Sequence, residues 1–178
     1  MEKDKIEKTI KGNDVILFLL PNNLYYEKIK EIARIVSKLS KRVCYVTLNK
    51  PHETLLKDFK RDKIVSSGFF FIDCVTKKEG KKAKERVNYV SSPKALTEMN
   101  IAMKKALTGG RIDSTIFDSL STLLVYEGSH AVVRFAHSIV SMFRALGTKG
   151  ILISLKEDIQ SQLVIDLGMF VDKVVELG

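Results

Sequence analysis

The sequence lacks the features that would indicate a membrane or secreted protein. No apolar run approaches the roughly 18–20 residues that a membrane-spanning helix needs, and the longest candidate is Val15–Pro21. The first residues, "MEKDKIEKTIKGND", are charged throughout and do not resemble a secretory signal. There are only two cysteines, Cys44 and Cys74, and both lie in apolar runs. We therefore expect buried, reduced thiols in a cytoplasmic protein without a membrane partner.

The length and the charge set further limits. A chain of 178 residues is long enough for one sizeable core, so we expect a single domain over residues 1–178. The net charge is +9, unevenly distributed: Lys and Arg exceed Asp and Glu by 12 in residues 1–112, whereas acidic residues are in excess by three from Asp113 onward. Such a balance indicates either an acidic partner such as nucleic acid or a lysine-rich solvated exterior.

Strand and helix patterns alternate along the chain. Continuous apolar runs typical of buried strands occupy residues 15–20, 42–48, 68–75, 114–118, 150–155 and 172–177. Helical spacing occupies residues 24–39, 52–61 and 129–146, a helix that Ser92 caps and Pro93 begins, and a short helix within 158–168. This alternation predicts an α/β fold of three layers, α/β/α, in which a mainly parallel sheet carries helices on both faces.

A basic segment interrupts this pattern at residues 77–86, "KKEGKKAKER". It has no apolar periodicity and predicts a solvated loop or hairpin tip. Its cations are candidates for electrostatic contact with nucleic-acid phosphates: Lys77, Lys78, Lys81, Lys82, Lys84 and Arg86. The segment lacks the interleaved aromatic residues on which bases stack.

The second half carries a more specific pattern. The stretch "STIFDSLSTLLVYEGSHAVVRFAHSIVSMFRALGTKGILISLKED" resembles the Walker-B half of RecA-like ATPases, in particular the KaiC and archaeal recombinase branch. The tail "LGMFVDKVVEL" is similar to the closing segment of that branch. The resemblance covers residues 15–178 in element order, and it implies a RecA-like sheet.

The resemblance also implies a role for the residues that end the fourth apolar run. Asp118 matches the Walker-B aspartate, which holds Mg²⁺ beside a bound nucleotide, and Ser119 stands next to it. On this basis, Asp118 and Ser119 are candidate residues for Mg-ATP binding. A purely structural reading remains open, in which Asp118 caps the turn or helix that follows.

Two other requirements of an ATPase are missing. A phosphate-binding loop needs Gly-x-x-x-x-Gly-Lys-Ser/Thr, whereas "LPNNLYYEKI" contains no glycine and no Lys-Ser/Thr pair, and its two tyrosines would crowd the helix start. In the branch named above, the strand matching "CYVTL" ends in a glutamate that positions water. Here Asn49-Lys50 stands in that place, and Glu53 is displaced onto a predicted helix. These absences predict a pseudo-ATPase with no catalytic residue and no required cofactor.

The histidines do not form a recognisable site. His130 and His137 share a helix face with Arg134, Ser141 and Arg144, opposite the apolar stripe, which indicates a solvated or partner-facing surface. His52 begins a predicted helix and is interpreted as a surface residue.

Three functions remain as hypotheses. The first is a non-catalytic RecA/KaiC-like domain that acts as a protein-interaction or regulatory module, pairing with itself or with an active ATPase of that class. The second is a divergent ATPase that binds Mg-ATP through Asp118 with an unusual loop. The third is a nucleic-acid-binding module built on the basic segment.

Overall fold

Strands and helices alternate along the chain. Within residues 2–77 and 85–178, which the computed structural model describes, the strands are β1 (Val15–Leu20), β2 (Val43–Thr47), β3 (Phe69–Asp73), β4 (Val87–Tyr89), β5 (Ser114–Asp118), β6 (Lys149–Leu155) and β7 (Lys173–Glu176). The helices are α1 (Glu2–Gly12), α2 (Tyr25–Leu39), α3 (His52–Arg61), α4 (Leu96–Gly110), α5 (Leu120–Tyr126), α6 (Ser129–Leu146) and α7 (Gln162–Leu167). Short 3₁₀ turns at residues 22–24 and 156–158 follow β1 and β6.

The strands form one sheet in the order β4-β3-β2-β5-β6-β1-β7, and every neighbouring pair is parallel. The carboxyl ends of β2 and β5 are in register, with Thr47 opposite Asp118. In open parallel sheets this edge is where ligands bind. The predicted three-layer architecture with helices on both faces is confirmed.

The two faces of the sheet are covered by different helices. Along β1, Ile16 and Phe18 belong to the core that includes residues of α1, α2 and α3. Leu17 and Leu19 belong to the opposite core, which includes residues of α4, α5, α6 and α7. Because both faces are buried, the strands are continuously apolar, without the polar alternation of a half-exposed sheet.

Four local features differ from the sequence predictions, the first being helix α5 (Leu120–Tyr126), which was not predicted. Helix α1 was not predicted, although Ile6 and Ile10 are spaced one turn apart and are both buried. Strand β4 was not predicted either, and it has only three residues. Helix α4 begins at Leu96, not at Pro93, because the Ser92 hydroxyl accepts a hydrogen bond from the Lys94 N–H in a turn before the helix.

Asp172 anchors the start of the central strand β1. Its Oδ2 accepts hydrogen bonds from the N–H groups of Asp14 (2.9 Å) and Val15 (2.8 Å). The Arg144 guanidinium of α6 donates to Oδ1 at 2.8 Å. The Val15 N–H, the Arg144 guanidinium and the Asp14 N–H together lower the pKa of this carboxyl despite partial desolvation. The Asp172 side chain, directly before β7, therefore connects the start of β1 to α6.

Both cysteines are buried and free, as predicted. Burial raises the pKa of the Cys44 thiol to about 12 and that of Cys74 still further, so neither is a reactive thiolate at neutral pH. In the part of the chain that the structure describes, no helix is both long enough and apolar enough to cross a membrane.

Gly150 permits the close contact between β6 and α6, and its replacement tests that packing. A Cβ at this position would lie 2.2 Å from Cδ2 and 2.7 Å from Cε2 of Phe143, which is fully buried. We expect Gly150→Ala to lower the free energy of unfolding by about 1–3 kcal/mol, because overpacking displaces the ring. Urea denaturation measures this change.

Gly12→Ala is the matched control, since a Cβ on this residue would meet no atom within 4 Å, and Gly12 ends helix α1. Its effect should stay within about 0.5 kcal/mol. Equal effects of the two substitutions would contradict the packing explanation.

Candidate functional site

The Asp118 carboxylate lies at the carboxyl end of β5 and is saturated by side chains of the same chain. Asp118 is only 2% exposed. The Tyr25 hydroxyl donates a hydrogen bond to Oδ1, and the Tyr45 hydroxyl donates to Oδ2 at 2.6 Å. The Asn49 side-chain amide adds a second donor to Oδ1 at 3.0 Å. Both carboxylate oxygens are thus engaged by protein groups.

Three separate elements bring these donors together. Tyr25 is the first residue of α2, and it points inward beneath the sheet edge. Tyr45 lies on β2, two residues before the position that pairs with Asp118, on the same face of the sheet. Asn49 follows β2 in the loop that leads to α3. The tyrosines are 93 and 73 residues from Asp118 in sequence, so only the fold makes the cluster.

A hydroxyl chain holds the Asn49 amide in its orientation. The Thr122 hydroxyl donates to Asn49 Oδ1 at 2.6 Å, and Ser119 Oγ lies 2.9 Å from Thr122 Oγ1. Because the Asn49 amide oxygen accepts this hydrogen bond, the Asn49 Nδ2 group is directed at Asp118. Ser119 is also the N-cap of α5, where its side chain accepts from the Thr122 N–H. The capping role considered for Asp118 therefore belongs to Ser119.

Burial dominates the electrostatics of the cluster. Desolvation raises the pKa of Asp118, while the hydrogen bonds from Tyr25, Tyr45 and Asn49 and the charge of Lys50 oppose this rise. Burial and the neighbouring carboxylate raise the pKa values of both tyrosines well above the usual range. The phenols consequently remain neutral donors, and Asp118 ionises less readily than a solvated aspartate would.

The backbone before α2 has little capacity left for an anion. The Asn22 N–H donates to Glu157 Oε1 at 3.2 Å. The N–H groups of Leu24 and Tyr25 donate to the carbonyls of Pro21 and Asn22 within the 3₁₀ turn. A phosphate-binding loop instead leaves converging N–H groups free for the ligand.

Two small cavities lie beside the cluster. Asp118 lines the smaller one, of about 140 Å³, together with Lys30, Lys50 and Arg61, whose charges are paired with Asp58 and Asp62. The larger one, of about 260 Å³, lies at this edge, between the start of α2 and helix α5. Its walls are Asn22, Tyr25, Tyr26, Asn49, Ser119, Ser121, Thr122, Val125 and Leu155. None of these lining residues carries a positive charge that could neutralise a phosphate. Lys50 instead pairs with Asp58 at 3.0 Å and lies 4.1 Å above the Tyr26 ring.

His52 and Asp73 form a second polar cluster that the sequence did not predict. His52 is 2% exposed, so its interpretation as a surface residue is wrong. Its backbone N–H and Nδ1 lie 2.9 and 2.8 Å from Asp73 Oδ2, at the end of β3. Thr76 and Val75 donate three further hydrogen bonds to the same carboxylate. Asp73 therefore fixes the start of α3 to the sheet, next to the Asp118 cluster.

The other candidates from the sequence are not brought into either cluster. Lys77 and Arg86 are exposed, and Arg86 contacts the Ser67 carbonyl. Lys78, Lys81, Lys82 and Lys84 lie outside the described residues. On α6, His130, Arg134 and Ser141 face outward as predicted.

Two members of the α6 stripe also contact the chain near its end. The His137 ring packs edge-on against Phe170, with ring centroids 4.6 Å apart. Arg144 donates to the Phe170 carbonyl at 2.8 Å, in addition to Asp172. In the described ranges, no group of three or more His, Cys, Asp or Glu residues is arranged to hold a metal ion.

The pH dependence of stability tests the environment of Asp118. A carboxyl whose pKa is raised by folding contributes stability below its unfolded pKa and loses it as the pH rises through the folded pKa. Replacing Asp118 with the neutral, isosteric Asn should therefore change stability in a pH-dependent way. We expect the free energy of unfolding of Asp118→Asn, relative to the unsubstituted protein, to increase between pH 4 and neutral pH, as measured by urea denaturation.

Asp172→Asn is the matched control, because its relative stability is expected to change with pH in the opposite direction. The pKa of Asp172 is lowered by folding, so its contribution is present above the unfolded pKa and is lost as the pH falls. The relative stability of Asp172→Asn should therefore decrease as the pH rises toward the unfolded pKa of about 4 and change little above it. Parallel trends for the two variants would contradict the assignment of Asp118 as a desolvated carboxyl.

Comparisons with known proteins identify the fold and the family. The chain is similar in structure to a KaiC-like protein from the hyperthermophilic archaeon Pyrococcus horikoshii OT3, with a TM-score of 0.65 and 12% sequence identity. The match covers 94% of this chain and 74% of that one, which establishes a KaiC/RecA-like fold. No curated protein matches the sequence. A family of unknown function, DUF7504, matches residues 37–177, and the chain belongs to that family.

Proposed function

We propose that this chain is a non-catalytic RecA/KaiC-like domain that acts as a protein-interaction or regulatory module. The observation that supports this most strongly is the saturation of the Asp118 carboxylate by Tyr25, Tyr45 and Asn49. The resemblance would put a magnesium-bound nucleotide at this position. A metal or its water would have to displace hydrogen bonds from buried phenols, which leaves polar groups without partners.

The first strand-to-helix junction supports the same proposal. Residues 19–28 contain neither the glycines nor the Lys-Ser/Thr pair that a polyphosphate site requires. The N–H groups of Asn22, Leu24 and Tyr25 are already engaged within the protein. The pseudo-ATPase character therefore rests on both the chemistry and the geometry of the junction.

ATP hydrolysis would also lack the residue that positions the attacking water. Asn49 and Lys50 follow β2, where the resemblance would place a glutamate that positions the attacking water. An amide cannot accept a proton from water, and the Asn49 oxygen already accepts a hydrogen bond from Thr122. Glu53 lies within α3 and does not line the cavity above Asp118.

Calorimetry with Mg-ATP tests the non-catalytic part of the proposal. We expect no saturable heat at protein concentrations that would reveal a micromolar dissociation constant, because the cations near Asp118 are paired with Asp58 and Asp62 and the N–H groups before α2 are engaged. Binding in the micromolar range that Asp118→Ala abolishes would overturn the proposal in favour of a divergent ATPase. Binding that persists in Asp118→Ala would place the nucleotide elsewhere on the domain.

The surface around the cluster supports an interaction role. Tyr26 on α2 is 51% exposed, and Val125 on α5 is 77% exposed, beside the half-exposed Tyr126. Val125 and Tyr26 both line the cavity above Asp118, so the apolar groups are adjacent. Exposed apolar and aromatic groups in one region are typical of contact surfaces. The uneven charge along the chain favours a partner that is a second copy or an active RecA/KaiC-like ATPase.

Sedimentation velocity tests the self-associating form of this proposal. We expect the apparent mass to rise with concentration at low salt and to fall when salt screens the charges. Val125→Asp should abolish the association, because it places a carboxylate in the apolar contact. Val65→Asp is the matched control, since Val65 is 65% exposed but lies in the loop before β3, at the opposite edge of the sheet.

A strict monomer at high concentration and low salt would exclude self-association. A partner of the proposed module would then be a different protein. An equal effect of Val125→Asp and Val65→Asp would instead contradict the location of the contact surface.

A further inference from the structure

A second cavity opens at the amino edge of the sheet, far from the Asp118 cluster. It has a volume of about 500 Å³ and lies between the starts of β2, β3 and β4 and the last turns of α4. This size is within the roughly 300–1,000 Å³ of small-molecule sites. We refer to it as the basal cavity.

The walls of the basal cavity are largely apolar. Phe69 and Phe70 of β3, Val87 of β4, and Ala106 and Ile112 at the end of α4 line it. Phe70 is the one residue of β3 that is not fully buried, although its strand lies inside the sheet. A ligand that covered this ring would remove apolar surface from water, which is favourable.

The rim of the basal cavity is predominantly cationic. Arg42, Arg86 and Lys105 line it, and Glu85 is the one acidic residue among its described walls. Arg86 donates to the Ser67 carbonyl, which holds the guanidinium at the cavity. Lys105 has no ion-pair partner among the described residues. The cations therefore outnumber the carboxylates around an apolar interior.

From this juxtaposition we infer that the basal cavity binds an amphipathic anion, a carboxylate or phosphate head group on an apolar body. Arginine recognises both head groups through paired hydrogen bonds, while the phenylalanine and aliphatic walls accommodate the apolar part. The site is independent of Asp118, because it lies at the opposite ends of the strands. A ligand there would contact β4 and α4, so its binding would act on a different part of the domain from the proposed interaction surface.

Titration of the ¹⁵N-labelled protein with decanoate, followed by heteronuclear NMR, tests the inference. Decanoate should shift the amide signals of Phe70, Asn88 and Lys105 in a saturable way. Decanol, which has the same chain without the charge, should bind about tenfold more weakly, as expected for the loss of one charged hydrogen bond. Decyl phosphate separates the two head groups, and preference for either is consistent with an amphipathic-anion site.

Two substitutions on α4 provide the matched pair. Lys105→Met removes the charge at the cavity and keeps the apolar stem, so decanoate affinity should fall about tenfold. Lys104→Met removes the same charge from the neighbouring exposed residue, which does not line the cavity, and should leave affinity unchanged. Ala106→Phe should fill the cavity and abolish binding while the folded spectrum is retained.

Three results would overturn the inference. Equal affinities for decanoate and decanol would remove the role of the cations. Equal losses in Lys104→Met and Lys105→Met would indicate nonspecific attraction to a basic surface. Shifts confined to residues outside the basal cavity, or no shifts at millimolar decanoate, would show that the cavity is not the site.

Discussion

The organisation of the carboxyl edge of the sheet depends on one buried carboxylate whose hydrogen-bond donors are side chains of the same chain. Asp118 would be costly to bury without partners, and two phenols and an amide supply them. These donors come from the start of α2, the middle of β2 and the loop after β2, so a single group connects three elements. The hydrogen bonds occupy both carboxylate oxygens at the edge where open parallel sheets bind their ligands.

Carboxylates of the chain also accept backbone N–H groups close to this cluster. Glu157 accepts the Asn22 N–H, so a carboxylate of the chain stands where an anion would bind at the beginning of α2. Asp73 plays a comparable role at the start of α3, where it accepts the His52 N–H. An acidic side chain of the domain thus accepts a backbone N–H just before α2 and another at the start of α3.

The sequence predicted the large elements well because their signals are local. Continuous apolar runs located β1 and β5, and helical spacing located α3 and α6 with their observed bounds. Helices α1 and α5 and strand β4 were missed because short elements with few buried residues carry little periodic signal. The end of β5 was predicted to hold Asp118, but its donors were not predicted, since Tyr25 and Tyr45 become neighbours only through the sheet order. His52 was misplaced for the same reason: its burial depends on Asp73, 21 residues away.

The outermost strands constrain how copies of this domain can assemble. Strand β4 has three residues and β7 has four, and Lys5 of α1 covers part of β7 by donating to the Glu176 carbonyl at 3.2 Å. Such short edge strands expose few unpaired backbone groups to a neighbouring molecule. Continuous β-pairing from one molecule to the next is therefore disfavoured, and higher-order assembly has to proceed through side-chain surfaces, whose specificity can diverge without altering the sheet.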